Sequence, residues 1–267
     1  MTQDAHQKVI ADFGQQWTAY TDNFGYYGSL DLFRDIVEPL VPVSEFKGKR
    51  VAEIGAGTGR ICAMMLEAGA SEVTAIEPSA AIDPLRRNLS QYGDRVRAVQ
   101  ATGEEMPNGQ FDMVLSIGVL HHIPDPYPAV RAAYNALKPG GKMLIWLYGK
   151  EGNGAYLAFV LPLRVLTKRM PHRVNAALSW ILDVPLKAYI VACRRFPLPL
   201  HRYMRGLLDK VSADKRRLII YDQLNPEWAK YYTRDEAYRL LSETGFTDIR
   251  LHHRGGYSWT VVGTKPA

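Results

Sequence analysis

The feature that most constrains this chain is an alternation of strand-like and helix-like segments between residues 50 and 148. "RVAEIG" (50–55) reads as a strand, "GRICAMMLEAGA" as an amphipathic helix stopped by Gly69, and "EVTAIE" (72–77) as a second strand. A polar helix over 80–92, a strand at 96–100 and a buried strand "FDMVLSIG" (111–118) follow. "DPYPAVRAAYNALKPGG" (125–141) has Pro near its start and a Pro-Gly-Gly stop, so it reads as a helix before the strand "KMLIWLY" (142–148). Such alternation requires right-handed crossovers and a doubly wound α/β sheet, parallel, with helices on both faces. Ligands of such sheets bind at the C-terminal ends of the strands.

The flanks differ. Residues 5–20 have helical spacing with a Gly interruption, "TDNFGYYGS" reads as a loop, and Ser29 caps a helix "LDLFRDIVE" ended by Pro39. Residues 151–230 are helix-like throughout, and prolines at 162, 171, 185, 197 and 199 are expected to divide them into short pieces. The alternating pattern resumes at "TRDEAYRLLSETG" (233–245), with Thr233 as N-cap, Glu236 three residues on and Gly245 as the stop. Two alternating runs around Gly255-Gly256 then read as a β-hairpin. The expected division is an N-terminal helical lid (1–45), a ligand-binding core (46–150), an inserted helical cap (151–230) and a return to the core (231–267).

Charge sets the insertion apart. Residues 151–230 hold 14 Lys and Arg against six acids, a net +8, whereas the whole chain carries +6, so the remainder is −2. The longest uncharged apolar stretch, "AYLAFVLPL" (155–163), falls short of the roughly 20 residues a spanning helix needs. The N-terminal "MTQDAHQKVI" has no apolar run after its charges, and Cys62 and Cys193 lack the spacing of a zinc site or a disulfide frame. A cytoplasmic location with reduced thiols and no metal is the expectation. Nucleic acid is disfavoured as a partner, because no stacking platform accompanies the charge. Oligomeric state is left open.

In "RVAEIGAGTGR" three glycines alternate at 55, 57 and 59, and position 60 is Arg, so the dinucleotide spacing GxGxxG is not met. Glu77 closes the second strand, where a carboxylate can accept hydrogen bonds from two adjacent ribose hydroxyls. The competing reading is a tight strand–helix turn without a ligand. "VAEIGAGTGR", Glu77-Pro78, "FDMVLSIGVLHHIPD" (111–125) and "LKPGG" (137–141) together resemble the class I S-adenosylmethionine-dependent methyltransferases of the small-molecule branch. The resemblance implies a Rossmann-like sheet with an antiparallel final strand. It implies that Gly55, Ala56, Gly57 and Gly59 approach the methionine part of S-adenosyl-L-methionine, with Glu53 near its ammonium. Glu77 would hold the ribose hydroxyls, Pro78 would lie against adenine, and Ile117 and Gly118 would line the methionine end. Thr102 stands where the family often has an acid that receives the adenine amino group, and Gly103 would offer its backbone amide.

Methyl transfer needs alignment, exclusion of water and, for some acceptors, removal of a proton. His121 and His122 follow the fourth strand, where a neutral imidazole could take that proton; the alternative is packing. His252 and His253 lie on the hairpin and are weaker candidates. Tyr148, a catalytic candidate, and Glu151 stand at the start of the insertion, within reach of an acceptor or in a solvated loop, and Asp222 and Tyr231 near its end are acceptor-side groups or parts of a structural joint between cap and core. The aromatic cluster Trp17, Tyr20, Phe24, Tyr26 and Tyr27 is too apolar to leave exposed; it forms either a lid, with Tyr20 on the cofactor, or plain core. The insertion itself has three readings: a solvated cap over the site, a cap that receives an apolar or anionic small-molecule acceptor, or an amphipathic surface touching anionic membrane lipid. Two activities fit: methyl transfer to a small acceptor, or binding of S-adenosylmethionine for another reaction or for regulation.

Overall fold

The computed structural model describes residues 2–38, 40–167, 170–225 and 228–267. Seven strands form one sheet: β1 (Arg50–Ile54), β2 (Glu72–Ile76), β3 (Val96–Val99), β4 (Phe111–Ile117), β5 (Leu137–Tyr148), β6 (Thr247–Arg254) and β7 (Ser258–Thr264). Their order is β3-β2-β1-β4-β5-β7-β6. β1 to β5 pair in parallel, and β7 runs antiparallel between β5 and β6, so the expected sheet and its antiparallel final strand are both present.

Helices α1 (Thr2–Ala19), α2 (Leu30–Val37), α3 (Arg60–Glu67) and α4 (Ile82–Leu89) precede α5 (Tyr127–Ala136). One apolar layer joins α2, α3 and α4 to one face of the sheet through Phe33, Met65 and Leu85. The opposite layer joins α5 and α10 (Arg234–Ser242) through Val130 and Leu240. Ser29 accepts a hydrogen bond from the Leu32 amide, and Thr233 and Glu236 complete a reciprocal capping box, as their spacing predicted. The predicted stop at Pro39 lies outside the described residues.

Three expectations fail. α1 continues through Gly14, because the missing side chain lets the helix lie on the loop after β2: a Cβ there would stand 3.0 Å from that of Ser79. β5 begins at Leu137 and takes in the Pro-Gly-Gly stretch, which α5 was expected to contain. Lys138 precedes a proline, which favours extended backbone, and Leu137 pairs with Phe111.

The insertion is also less broken than its prolines suggest. It comprises α6 (Gly154–Thr167), α7 (His172–Arg195), α8 (His201–Tyr203) running into a π-turn over Met204–Leu208, and α9 (Ala213–Leu224). Pro162 and Pro185 lie inside α6 and α7. An interior proline removes one backbone hydrogen bond and costs about 3 kcal/mol. At α7 that cost is met by packing on α9, where buried Arg216 grips Asp183 two residues before the proline through Nε and through Nη2 at 3.1 Å. Lys168, Arg169 and Glu227, counted in the insertion's charge, lie outside the described residues.

Candidate active site

The ends of β1, β2, β4 and β5 open onto one cavity of about 270 Å³, roofed by α1 and by the insertion. At its sheet end the backbone itself is the surface. Gly57 has φ +53° and borders the cavity, with a built Cβ 3.4 Å from Trp17 Nε1. A side chain here would be both strained and in the way. Glu77 is buried beside it; Oε2 accepts from the Gly57 amide at 2.8 Å and Oε1 from the Ser79 amide at 3.0 Å. The Ser79 hydroxyl also donates to Oε1. A carboxylate has about four acceptor positions, so capacity remains for a ligand. Glu53 is buried at the same end and accepts from the Cys62 thiol at 3.0 Å. Burial pushes the Glu53 carboxyl up to about 7, and burial beside Glu53 holds the Cys62 thiol well above its usual range.

Ala56, Gly55, Pro78, Thr102, Gly103, Ile117 and Gly118 also border this cavity, as the motifs imply. Gly59 does not. Its role is packing at the start of α3, where a Cβ would fall 2.9 Å from Leu89. Tyr20 is likewise off the cavity, against Tyr221 at 6.1 Å; Trp17, about one turn earlier on α1, takes the place expected of it. Of the rest of the aromatic cluster, Tyr27 borders the cavity, whereas Phe24 is exposed.

The far end is polar and comes from the insertion. The Tyr148 hydroxyl donates to Asp222 Oδ2 at 2.9 Å and accepts from Gln223 Nε2 at 2.8 Å. The Tyr156 hydroxyl donates to Gln223 Oε1 at 2.6 Å, and Arg164 Nη2 donates to the Tyr231 hydroxyl at 3.0 Å. From α1, Gln16 Nε2 reaches Asp222 Oδ1 at 3.1 Å. Tyr148, expected as a catalytic group, is held well above the usual tyrosine range by burial and by Asp222, so it serves as a donor and not as a base. The sequence reading missed Gln16, Tyr156, Arg164 and Gln223. Tyr156 and Arg164, lone polar residues on one face of an apolar run, were the available signal.

The two histidines part company. His122 borders the cavity, and its Nδ1 lies 2.9 Å from the Trp228 carbonyl. A carbonyl only accepts, so Nδ1 carries the proton and Nε2 keeps the lone pair. Nε2 is buried and has no partner among the described residues. Burial lowers the His122 pKa, which keeps the ring neutral. His121 is outside the cavity, fully buried and stacked on Tyr148 at 3.8 Å; burial and the neighbouring His122 hold it well below the usual range. It packs. His253 stacks on Trp259 at 4.3 Å, and Glu151 accepts from the Arg234 amide at 2.8 Å and from Trp259 Nε1 at 3.2 Å. Those residues fasten the hairpin to the insertion and do not reach the cavity.

The N-terminal segment is tied down at several points. Lys215 of α9, buried, binds the Asp22 carboxylate at 3.0 Å, and Asn23 and Thr58 exchange hydrogen bonds at 3.1 and 2.7 Å.

With this geometry the chain matches a family model described as a methyltransferase domain over residues 29–251, and it belongs to that family. Among curated proteins it is similar to the ubiquinone biosynthesis O-methyltransferase of Pseudomonas entomophila. Identity there is 33% over 147 residues, 53% of this chain and 62% of that protein. The Pseudomonas aeruginosa protein of the same name is 34% identical over 146 residues, with the same coverage. The matched region thus spans about three fifths of those relatives. Human N-acetylserotonin methyltransferase shares the fold at 14% identity, with a TM-score of 0.56 over 96% of this chain and 56% of that one. A Thermotoga maritima S-adenosylmethionine-dependent methyltransferase does so at 17% identity, with a TM-score of 0.53 over 95% and 98%.

Proposed function

We propose that this protein transfers a methyl group from S-adenosyl-L-methionine to a small, largely apolar acceptor. One observation carries the reading: a single cavity runs from a glycine cradle with two buried carboxyls to a polar cluster on the insertion. The cradle fits the donor. Gly57 leaves open the space a side chain would fill, Glu77 keeps one of its about four acceptor positions for a ribose hydroxyl, and Glu53 offers a carboxyl to an ammonium. Pro78, Thr102, Gly103, Ile117 and Gly118 complete that end. When bound, S-adenosylmethionine supplies a methyl carbon already activated by a sulfonium.

The remaining work falls to this chain's own groups. His122 borders the cavity with an unprotonated, buried Nε2, which takes the acceptor's proton once the acceptor displaces the packing of Phe13 on the ring. Tyr148, Asp222 and Gln223 form a fixed hydrogen-bonded edge against which a polar acceptor group is oriented. Apolar residues such as Leu207, Leu218 and Ile219 give the acceptor body its wall, and Trp17 excludes water from above. On this reading residues 1–45 are the lid, 46–150 and 231–267 the donor-binding core, and 151–230 the acceptor cap. Two free, buried cysteines suit a cytoplasmic location.

The test is incubation with methyl-labelled donor and a panel of phenols, amines and quinols. Label in a new product supports the reading; donor consumption without labelled product rejects it.

A further inference from the structure

The outer surface of the insertion is inside out. Every exposed position of α6 is apolar, with Phe159, Leu161, Val165 and Leu166 the largest, whereas Arg164 and Thr167 are buried. α7 repeats the inversion. Asn175, Ser179 and Asp183 form a buried polar stripe, while Trp180, Ile181 and Val184 are 58%, 65% and 73% exposed. Among the described residues, the exposed positions from Val174 to Val191 hold a single charge, Lys187. Water does not favour such an arrangement; exposed apolar patches of this size mark a contact surface.

Charge identifies the occupant. Residues 152–208 contain one acid, Asp183, and it is buried in an ion pair with Arg216. The apolar face is flanked by Arg173 at one end and by Lys187 and Arg195 toward the other, all exposed. A second copy seated on this face would set the exposed cations of α7 against each other, and the carboxylate bordering it, Asp214 of α9, is already paired with Arg217, which stacks on Trp180. An anionic lipid surface supplies both an apolar interior and the missing negative charge.

We propose that the outer faces of α6 and α7 dock this protein onto an anionic bilayer. The segment Arg173–Arg195 is long and apolar enough to cross a membrane, contrary to the expectation from uncharged runs alone. It nonetheless lies on the bilayer and does not span it. Asn175 of its polar stripe donates to the Thr167 carbonyl of α6 and Asp183 binds Arg216 of α9, and withdrawing Asp183 from Arg216 would leave two unpaired buried charges. Docking sets the back of the cavity wall against lipid, since Tyr156 of α6 borders the cavity while Phe159 of the same helix faces out. The inference is independent of the reaction catalysed.

Vesicle flotation of the full chain tests it directly. Vesicles of phosphatidylcholine with phosphatidylglycerol should carry the protein, pure phosphatidylcholine should carry much less, and added salt should release it. The double variant Ile181→Glu/Val184→Glu should lower the bound fraction at least about tenfold with its melting temperature kept. Lys187→Glu/Arg195→Glu should abolish the preference for anionic vesicles. Equal absence of binding to both vesicle types, or unchanged flotation of the Ile181/Val184 variant, overturns the proposal. So does a wild-type dimer that fails to float and that this variant dissociates, because the face then belongs to a second copy.

Discussion

At the sheet end of the cavity the wall is backbone: Gly57, the Ser79 amide and the carboxyls they meet are fixed by strands β1 and β2. At the cap end the wall is side chains, with Tyr148, Tyr156, Asp222 and Gln223 brought together from a strand and two helices. The first end tolerates few residue types, because a loop of left-handed glycines admits little else. The second can be rebuilt one side chain at a time without disturbing the sheet. A protein built this way keeps one donor and changes its acceptor.

The sharpest test of that division is His122→Asn. It should cut turnover by roughly 10²–10⁴ while calorimetry finds donor affinity unchanged. His121→Phe should keep turnover, since His121 stacks on Tyr148 away from the cavity and both its ring nitrogens are unpartnered among the described residues. Equal losses from the two would return the histidines to a common packing role. Next, Glu77→Ala should weaken donor binding by about 1.5–3 kcal/mol through the loss of charge-assisted hydrogen bonds. An unchanged dissociation constant would remove Glu77 from the donor end. Gln223→Ala should raise the acceptor KM about tenfold, the worth of one neutral hydrogen bond, with donor affinity unmoved. A parallel loss of donor binding would break the comparison.

The smallest effect concerns pH. Burial raises the Glu53 pKa to about 7 in the folded protein, from an ordinary value near 4.5. The folded state therefore holds a proton that the unfolded state has lost between those values. Its stabilising contribution is complete below about 4.5 and fades as pH rises through about 7. Melting temperature without ligand should fall across that window in the wild type and stay flatter in Glu53→Gln. Donor binding should also release a proton below pH 7, read as a dependence of binding heat on buffer; its absence would place the ammonium elsewhere.

Most of the sheet end was legible because local pattern determines it. Alternation gave β1 to β4, Thr233 and Glu236 gave the start of α10, and alternate glycines followed by Glu77 marked the ligand edge. The cap resisted for three physical reasons. Its prolines sit inside helices that tertiary packing holds together, so Pro162 and Pro185 misled. Its polar residues point inward, so the usual rule that polar means solvated assigned them wrongly. Its decisive contacts are far apart in sequence, as between Gln16 and Asp222, where no local spacing foretells a partner. Adjacent residues were undecidable for a simpler reason. The short turn Leu120–His122 gives His122 a place on the cavity and denies it to His121, and Trp17 replaces Tyr20 by about one helical turn.

The clasp between Gln16 and Asp222 has a kinetic consequence. It joins α1, over the glycine loop, to α9, which carries Asp222 and Gln223, and the Lys215–Asp22 pair reinforces the same seam. On the proposed function, opening either compartment widely would require that seam to break, which would couple exchange at the two ends. Such a device favours commitment: once both ligands are inside, escape and release share a single slow step, and chemistry proceeds against a closed door. Severing the seam with Gln16→Ala would speed the departure of spent donor and of unreacted acceptor together, trading residence time for wasted encounters.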